Sequence, residues 1–383
     1  MGAPSEYFCD IVGGTDDTVG DRGSVIGNPW KTVQFALDNI TQDTTNGDLI
    51  NIKTGGLNTL AAALDLSTYG TPTLLAPLIF RGYTSVAKDG GRGDLNGDDS
   101  FAVMDGSPTG VSFIDMACWK SGSTTVLTLG VSCSLVNCRV YDATATLVVM
   151  SSNGYINHCL FNECDGTQAI VITSGIITGC TFEDTASQQP REWISGGSGI
   201  IYIINNLFQL RDNTRGIVLT SEMFIVNNSF FGAAGTGTAV KTLTDRDRIV
   251  LLNNIVAGFS GSGGVGIDLR SGDTILAYGN NTFFDNETDT ANVAGAWFGS
   301  ANAVAGGSPY VDAAGDDFTS TAVGSIRGGS FPTDFLGLTA TALDVNRGGS
   351  QIALIATGGG GSGTGTGRYK YRGLSRGHAL GAS

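Results

Sequence analysis

The sequence predicts an all-β solenoid, one ribbon wound into stacked parallel coils, and three observations lead there. A polar doublet followed two positions later by a large apolar residue occurs seven times: Asn137-Cys138-Arg139-Val140, His158-Cys159-Leu160-Phe161, Gly179-Cys180-Thr181-Phe182, Asn205-Asn206-Leu207-Phe208, Asn227-Asn228-Ser229-Phe230, Asn253-Asn254-Ile255-Val256 and Asn280-Asn281-Thr282-Phe283. The second members, Cys138, Cys159, Cys180, Asn206, Asn228, Asn254 and Asn281, lie 21, 21, 26, 22, 26 and 27 residues apart, a period of repeat architectures. Between them run short β-branched segments, such as Ala169-Ile170-Val171-Ile172 and Ile249-Val250-Leu251-Leu252, bounded by turn residues as strands are.

Each coil of that length holds two or three strands, and every strand pairs with its equivalent one coil away. The Asn/Cys column then becomes a ladder. Amides stacked at the ~4.8 Å strand spacing bond to one another and to turn backbone, while Cys138, Cys159 and Cys180 put a small thiol in the same place. The phenylalanine two positions later faces the same way and is expected to form an inner aromatic stack.

Composition supports a long, turn-rich β protein: 58 glycines in 383 residues, 8% aromatic and 15% charged. Glycine has no third-position period, which excludes collagen. A formal charge of -14, from 35 acidic and 21 basic residues, opposes nucleic acid and anionic membrane as partners. No apolar run approaches the ~20 residues that span a bilayer, and Met1 to Tyr7 lacks the basic and apolar regions of a secretion signal. The seven cysteines contain no metal-type pair and are expected to be reduced.

Residues 1–47 read as an acidic loop and a capping helix. Asn28-Pro29 is taken to open that helix, and Trp30, Val33, Ala36, Leu37 and Ile40 give it one apolar face to lay over the first coil. Residues 48–357 form the solenoid. Its first strands are Asp48 to Lys53 and Pro77 to Tyr83, the segment Leu57 to Leu66 suits a short helix or a loop, and irregular coils after Asn286 close it. Residues 358–383 are a Gly/Ser/Thr tether carrying a basic aromatic tail, with Arg368, Tyr369, Lys370, Tyr371, Arg372 and Arg376 as partner-binding candidates.

The entry segment Asn28-Pro29-Trp30-Lys31-Thr32-Val33-Gln34, the Asn-ladder coils and the closing Pro309-Tyr310-Val311-Asp312-Ala313 together resemble the pectate-lyase-like, single-stranded β-helix superfamily, most closely its phage and virion structural members. The resemblance implies a right-handed parallel β-helix. It also implies a choice among polysaccharide lyases and hydrolases, tailspikes, and virion proteins without catalysis, which fold alone does not make.

Candidate chemistry is sparse. Asp142, Glu163, Asp184 and Asp285 all follow a ladder residue by four. The first three belong to consecutive coils, so equal offsets would stand three carboxylates about one strand spacing apart. Such a file either recruits a cation or raises its own pKa values, and acidic turn residues in water are the plain alternative. Asp94, Asp98 and Asp99, with Asp89, are a second acidic cluster, either a solvated turn or an oxygen-ligand site for Ca²⁺, which would be the cofactor if the chain were an enzyme. The pectin-hydrolase motifs of the superfamily are not present as a set, and two histidines argue against a Ser-His-Asp triad.

The expected function is therefore a non-catalytic structural protein of a larger assembly, a virion β-helix that is homo-oligomeric and held to other subunits by its termini. A tailspike-like depolymerase, lyase or hydrolase is the second reading, with an extracellular setting. Adhesion to a surface glycan is the third.

Overall fold

The computed structural model describes residues 2–312 and 317–320, except 56–58, 98–101, 121, 123, 186–188, 220–221, 234, 244–247, 271, 292, 294–302 and 305–306. The tether, the basic tail, Asp98 and Asp99 lie outside the described residues, as do most of the expected closing coils.

The ribbon winds as its period requires. One coil passes through Gly154–Asn157, Leu160–Cys164 and Gln168–Ile172, then returns at Gly175–Thr178, where Gly154 pairs in parallel with Gly175 and Asn157 with Thr178. Repetition builds three parallel sheets of 11, 10 and 8 strands among the described residues, referred to as the first, second and third in that coil order. The fold is a parallel β-helix, a three-faced prism whose interior is filled by files of like residues.

Each file is a sequence column. Ile156, Ile177, Ile203, Ile225 and Leu251 line the inside of the first sheet, and Val148, Ile170, Ile194, Ile217, Val240 and Ile267 that of the third, all at most 1% exposed. On the second sheet Phe161, Phe182, Phe208 and Phe230 stack with centroids 5.3, 4.5 and 4.6 Å apart, the separation favoured by offset rings.

The polar doublet has two separate duties at the corner between the first and second sheets. Its first member turns the chain in the left-handed region: Asn137, His158, Asn205, Asn227, Asn253 and Asn280 have φ between 52° and 58°, a conformation that Asn, Asp, His and Gly adopt most readily. Its second member points inward and forms the ladder. Asn206 Nδ2 donates to Asn228 Oδ1 at 3.0 Å, Asn228 Nδ2 to Asn254 Oδ1 at 3.1 Å, and Asn254 Nδ2 to Asn281 Oδ1 at 3.0 Å. The same amides donate to Ile177, Ile203, Ile225 and Leu251 carbonyls at 2.9–3.1 Å. The file continues through Cys180, whose N–H donates to Asn206 Oδ1, and through Cys159 and Cys138, whose thiols donate to backbone carbonyls. An eighth copy precedes these at Asp115-Met116, with Asp115 at φ 55°. Methionine in place of the amide hid it from the sequence reading.

Asn228→Ala would remove an acceptor for the Asn206 N–H and a donor to the Ile203 carbonyl, both fully buried. A loss of about 2–3 kcal/mol is expected, because buried polar groups left unpaired forfeit their full desolvation. Asn228→Cys should lose less, since three native rungs already carry a thiol. Urea midpoints of the two variants against the parent measure both.

All seven cysteines are free and buried, and burial raises the Cys138 and Cys159 thiols well above their ordinary range. They pack as small apolar groups.

The entrance departs from expectation in three ways. Residues Ser5–Cys9 form a strand paired with Asp48–Lys53, so the prism begins earlier than the acidic character of this region suggests. The helix spans Val33–Asn39, with Thr32 as N-cap, rather than opening at Asn28-Pro29. Asp16 accepts from the N–H groups of Lys31 and Thr32 and from the Thr32 hydroxyl, each at 2.9 Å. That fixes the start, while Trp30 stays extended and stacks on Tyr7 at 5.8 Å. The segment after Leu57 gives neither helix nor free loop where described: Thr59 and Leu64 make parallel bridges to Asn96 and Met104.

Candidate functional site

The acidic residues four past the ladder all lie where the chain leaves the second sheet for the third, but equal offsets do not give equal positions. Alternation puts Val140 inside and Tyr141 outside. Asp142 then takes φ 59° as an extra outward residue before Ala143 turns in, and Glu163 at φ 54° does the same before Cys164. Asp285 repeats it at φ 53°. Asp184 has no such insertion, so after inward Phe182 and outward Glu183 its side chain goes inside, 3% exposed. The expected file of three carboxylates is thus divided: Asp142 and Glu163 share a half-exposed turn position, and Asp184 is a core residue.

Glu163 is held by Arg139 Nη2 at 3.3 Å. The Arg139 guanidinium covers the Tyr141 ring at 3.9 Å, and that ring stacks on Trp119 at 5.8 Å. This outer column satisfies its own faces. Of the second acidic cluster, Asp89 accepts backbone N–H bonds from Thr84, Ser85, Val86 and Gly91 at 2.7–3.1 Å, which hold its carboxyl below the usual range as turn geometry requires. Asp94 sits on the outer second sheet opposite Ala117, its carboxyl raised by burial against the pull of Arg92 and Arg139. Among the described residues no three His, Cys, Asp or Glu side chains gather as a metal site.

Among the described residues this edge carries an open, shallow cleft of about 510 Å³ lined by Asp165, Gly166, Thr167, Gln189, Pro190, Arg191, Asp212, Asn213 and Thr214. Three successive second-to-third corners build it. The wall is backbone-braced: Arg191 N donates to Gly166 O at 3.1 Å and Arg215 N to Arg191 O at 2.9 Å. Beside it on the third sheet, Glu192 is engaged at both oxygens, by Gln168 Nε2 at 3.1 Å and Arg215 Nη1 at 3.1 Å.

Asp184 pins this wall from within. Its Oδ2 accepts from Arg211 N at 2.6 Å and its Oδ1 from Trp193 Nε1 at 2.8 Å, and the Thr214 side chain bonds it as well. One carboxyl therefore ties the 211–214 turn to the strand Glu192–Gly196, which follows Arg191 and carries Trp193. Burial raises this carboxyl to about 7 against the downward pull of those three donors. It supports the cleft and does not face it.

Of the residues named on sequence, Asp142, Glu163 and Asp184 lie at this edge, while Asp165, Gln189 and Arg191, which line the cleft, were not among the candidates. None of these residues carries a motif. They meet because corners of three coils stack, and one of those corners, Asp184 to Arg191, is longer than its predecessors.

No family model and no curated protein matches this chain. Among solved structures the chain path is similar to that of pectate lyase Pel9A, with 13% identity, a TM-score of 0.45 and coverage of 91% of this chain and 96% of that one. A GH136 lacto-N-biosidase from Eubacterium ramulus is similar at 12% identity and TM-score 0.37, over 78% of this chain and 67% of that one. These are likenesses of winding and assign no chemistry to the chain.

Proposed function

We propose that this chain is a carbohydrate-recognition β-helix that binds a neutral glycan in the cleft at the corner between the second and third sheets. The observation that carries the reading is the lining itself: two carboxylates, an arginine, two amides and the Thr167 hydroxyl along an open concavity braced from below by Asp184. Carboxylates and amides accept from vicinal hydroxyls while Arg191 and the amide groups donate to ring and hydroxyl oxygens, the complementarity a sugar offers.

Charge selects the class of glycan. Asp165 and Asp212 outnumber Arg191, and the whole chain carries -14, so a polyuronate would meet repulsion that a neutral chain avoids. This favours glycan adhesion over the virion-structural role ranked first on sequence.

The test is binding of the full chain to panels of neutral and acidic polysaccharides, by calorimetry or immobilised glycan, with product analysis on the same samples. Neutral glycan should bind, and Asp165→Asn with Asp212→Asn should weaken it at least tenfold at unchanged thermal midpoint. Both residues are exposed and should tolerate the change. Binding restricted to uronates, or unaffected by the double variant, would refute the proposal. Reducing ends or unsaturated uronates lost in that variant would instead establish an enzyme.

A further inference from the structure

The outward side of the second sheet closes toward its C-terminal end. Phe230, Val256 and Phe283 are buried inside the prism, so by alternation Ser229, Ile255 and Thr282, paired in register, face out, as do Phe231, Ala257 and Phe284. In the first of these columns Arg139, Leu160, Thr181 and Leu207 are half-buried, as on an open face. The next three differ: Ser229 is 1% exposed, and Ile255 and Thr282 are 0% exposed. The adjoining corner changes toward the same coils, from exposed Asn137 and half-buried His158 to Asn253 and Asn280 at 0%.

Strand pairing alone does not produce this. Leu160 is paired on both sides, as Ile255 is, and keeps part of its exposure. Ile255 and Ala257 form an apolar cluster separate from the interior, with Leu207, Phe231 and Phe284 packed against it. Those three rise from the same face and flank the pair, so a second layer is needed to close it. These exposures belong to a single chain, and the layer is therefore a segment of that chain.

We propose that the outer second sheet between Leu207 and Phe284 is the docking face for the chain's own segment 321–357, which folds back along the prism instead of extending the stack of coils. Reach permits it. Ala303–Val304 pairs with Thr282 and Phe283 at the end of this sheet, and the 27 residues from Val304 to Phe331 can extend well beyond the ~15 Å of three strand spacings.

Composition and charge select the same segment. It carries Phe331, Phe335, Leu338, Ile352, Leu354 and Ile355, and its two arginines and two aspartates cancel. A near-neutral apolar segment suits Ile255, Ala257, Phe231 and Phe284 with their rim of Asn, Ser and Thr. The basic tail that follows would instead bring cations against uncharged groups, which costs their hydration. Tethering supplies an effective concentration on the order of mM, so even a weak contact is occupied.

Solvent access in the full chain tests the proposal. The native cysteines are buried, so maleimide reports on a cysteine introduced at this face. Ala257→Cys is expected to react at least tenfold more slowly than Asp285→Cys, an exposed position on the same sheet's border. Phe335→Asp with Leu354→Asp should raise the Ala257→Cys rate at least fivefold and leave that of Asp285→Cys unchanged. Phe231→p-benzoylphenylalanine should give a photo-crosslink within one chain to a peptide from 321–357, a readout that stands if the charged variants fail to fold. Equal labelling of the two positions, an Ala257→Cys rate unmoved by folded segment variants, or crosslinking to a second copy, to residues 358–383 or to no part of 321–357 would each overturn the proposal.

Discussion

Phe208→Ala is expected to lower the unfolding free energy by about 3–5 kcal/mol, the range for truncating a buried aromatic ring. Phe208 is fully buried between Phe182 at 4.5 Å and Phe230 at 4.6 Å, so the change opens a gap that two neighbours line. Relaxation is restricted because each neighbour belongs to a strand paired on both sides. Phe208→Leu should lose roughly half as much, since it keeps most of the buried apolar area. Urea denaturation followed by circular dichroism measures both, and a loss below ~1 kcal/mol for the alanine variant would contradict the packed stack.

A pH series should expose Asp184. Its carboxyl rises from 3.8 in the unfolded chain to about 7 in the folded one, so the folded state binds the proton more tightly. The contribution is fully present below about pH 4 and is lost as pH rises through 7, with a difference on the order of 4 kcal/mol for three units at ~1.4 kcal/mol each. The expected result is stability that falls between pH 4 and 8, and a profile for Asp184→Asn that lacks this component. Asparagine, like the protonated carboxyl, offers one carbonyl acceptor and cannot ionise, so the variant should lie closest to the parent at acid pH and add no slope. Parallel slopes in the two proteins would show that Asp184 does not titrate there.

Glycan binding gives that variant a second readout. Asp184 holds Arg211 and Thr214 in the wall without facing the cleft, so Asp184→Asn should weaken binding less than Asp165→Asn with Asp212→Asn. An equal loss would mean that the 211–214 turn has collapsed.

The architecture was legible because it is periodic. A solenoid turns sequence period into spatial register, and the Asn/Cys and Phe columns recur with little interruption. Asp115-Met116 escaped because an unlike residue filled the rung. The helix start was misplaced because Asn28-Pro29 carries strong local capping signals, while Asp16, sixteen residues before Thr32, decides the matter from a distance.

The carboxylates were harder. Asp142, Glu163 and Asp184 have the same offset from the ladder, yet an outward residue of left-handed backbone is inserted at the first two corners and absent at the third. Neither Asp nor Glu announces that insertion. One residue more or less exchanges inside for outside in an alternating strand, which is why a surface candidate became a core tie.

The sequence by itself determined the winding, the ladder, the aromatic stack and the free thiols, since each repeats from coil to coil and needs nothing beyond its neighbours above and below. Only the tertiary structure decided the cleft. Asp165, Arg191 and Asp212 come together through corners of unequal length on successive coils, and Tyr202 and Phe224 stack because strands 22 residues apart stand side by side, distances over which no local pattern carries information.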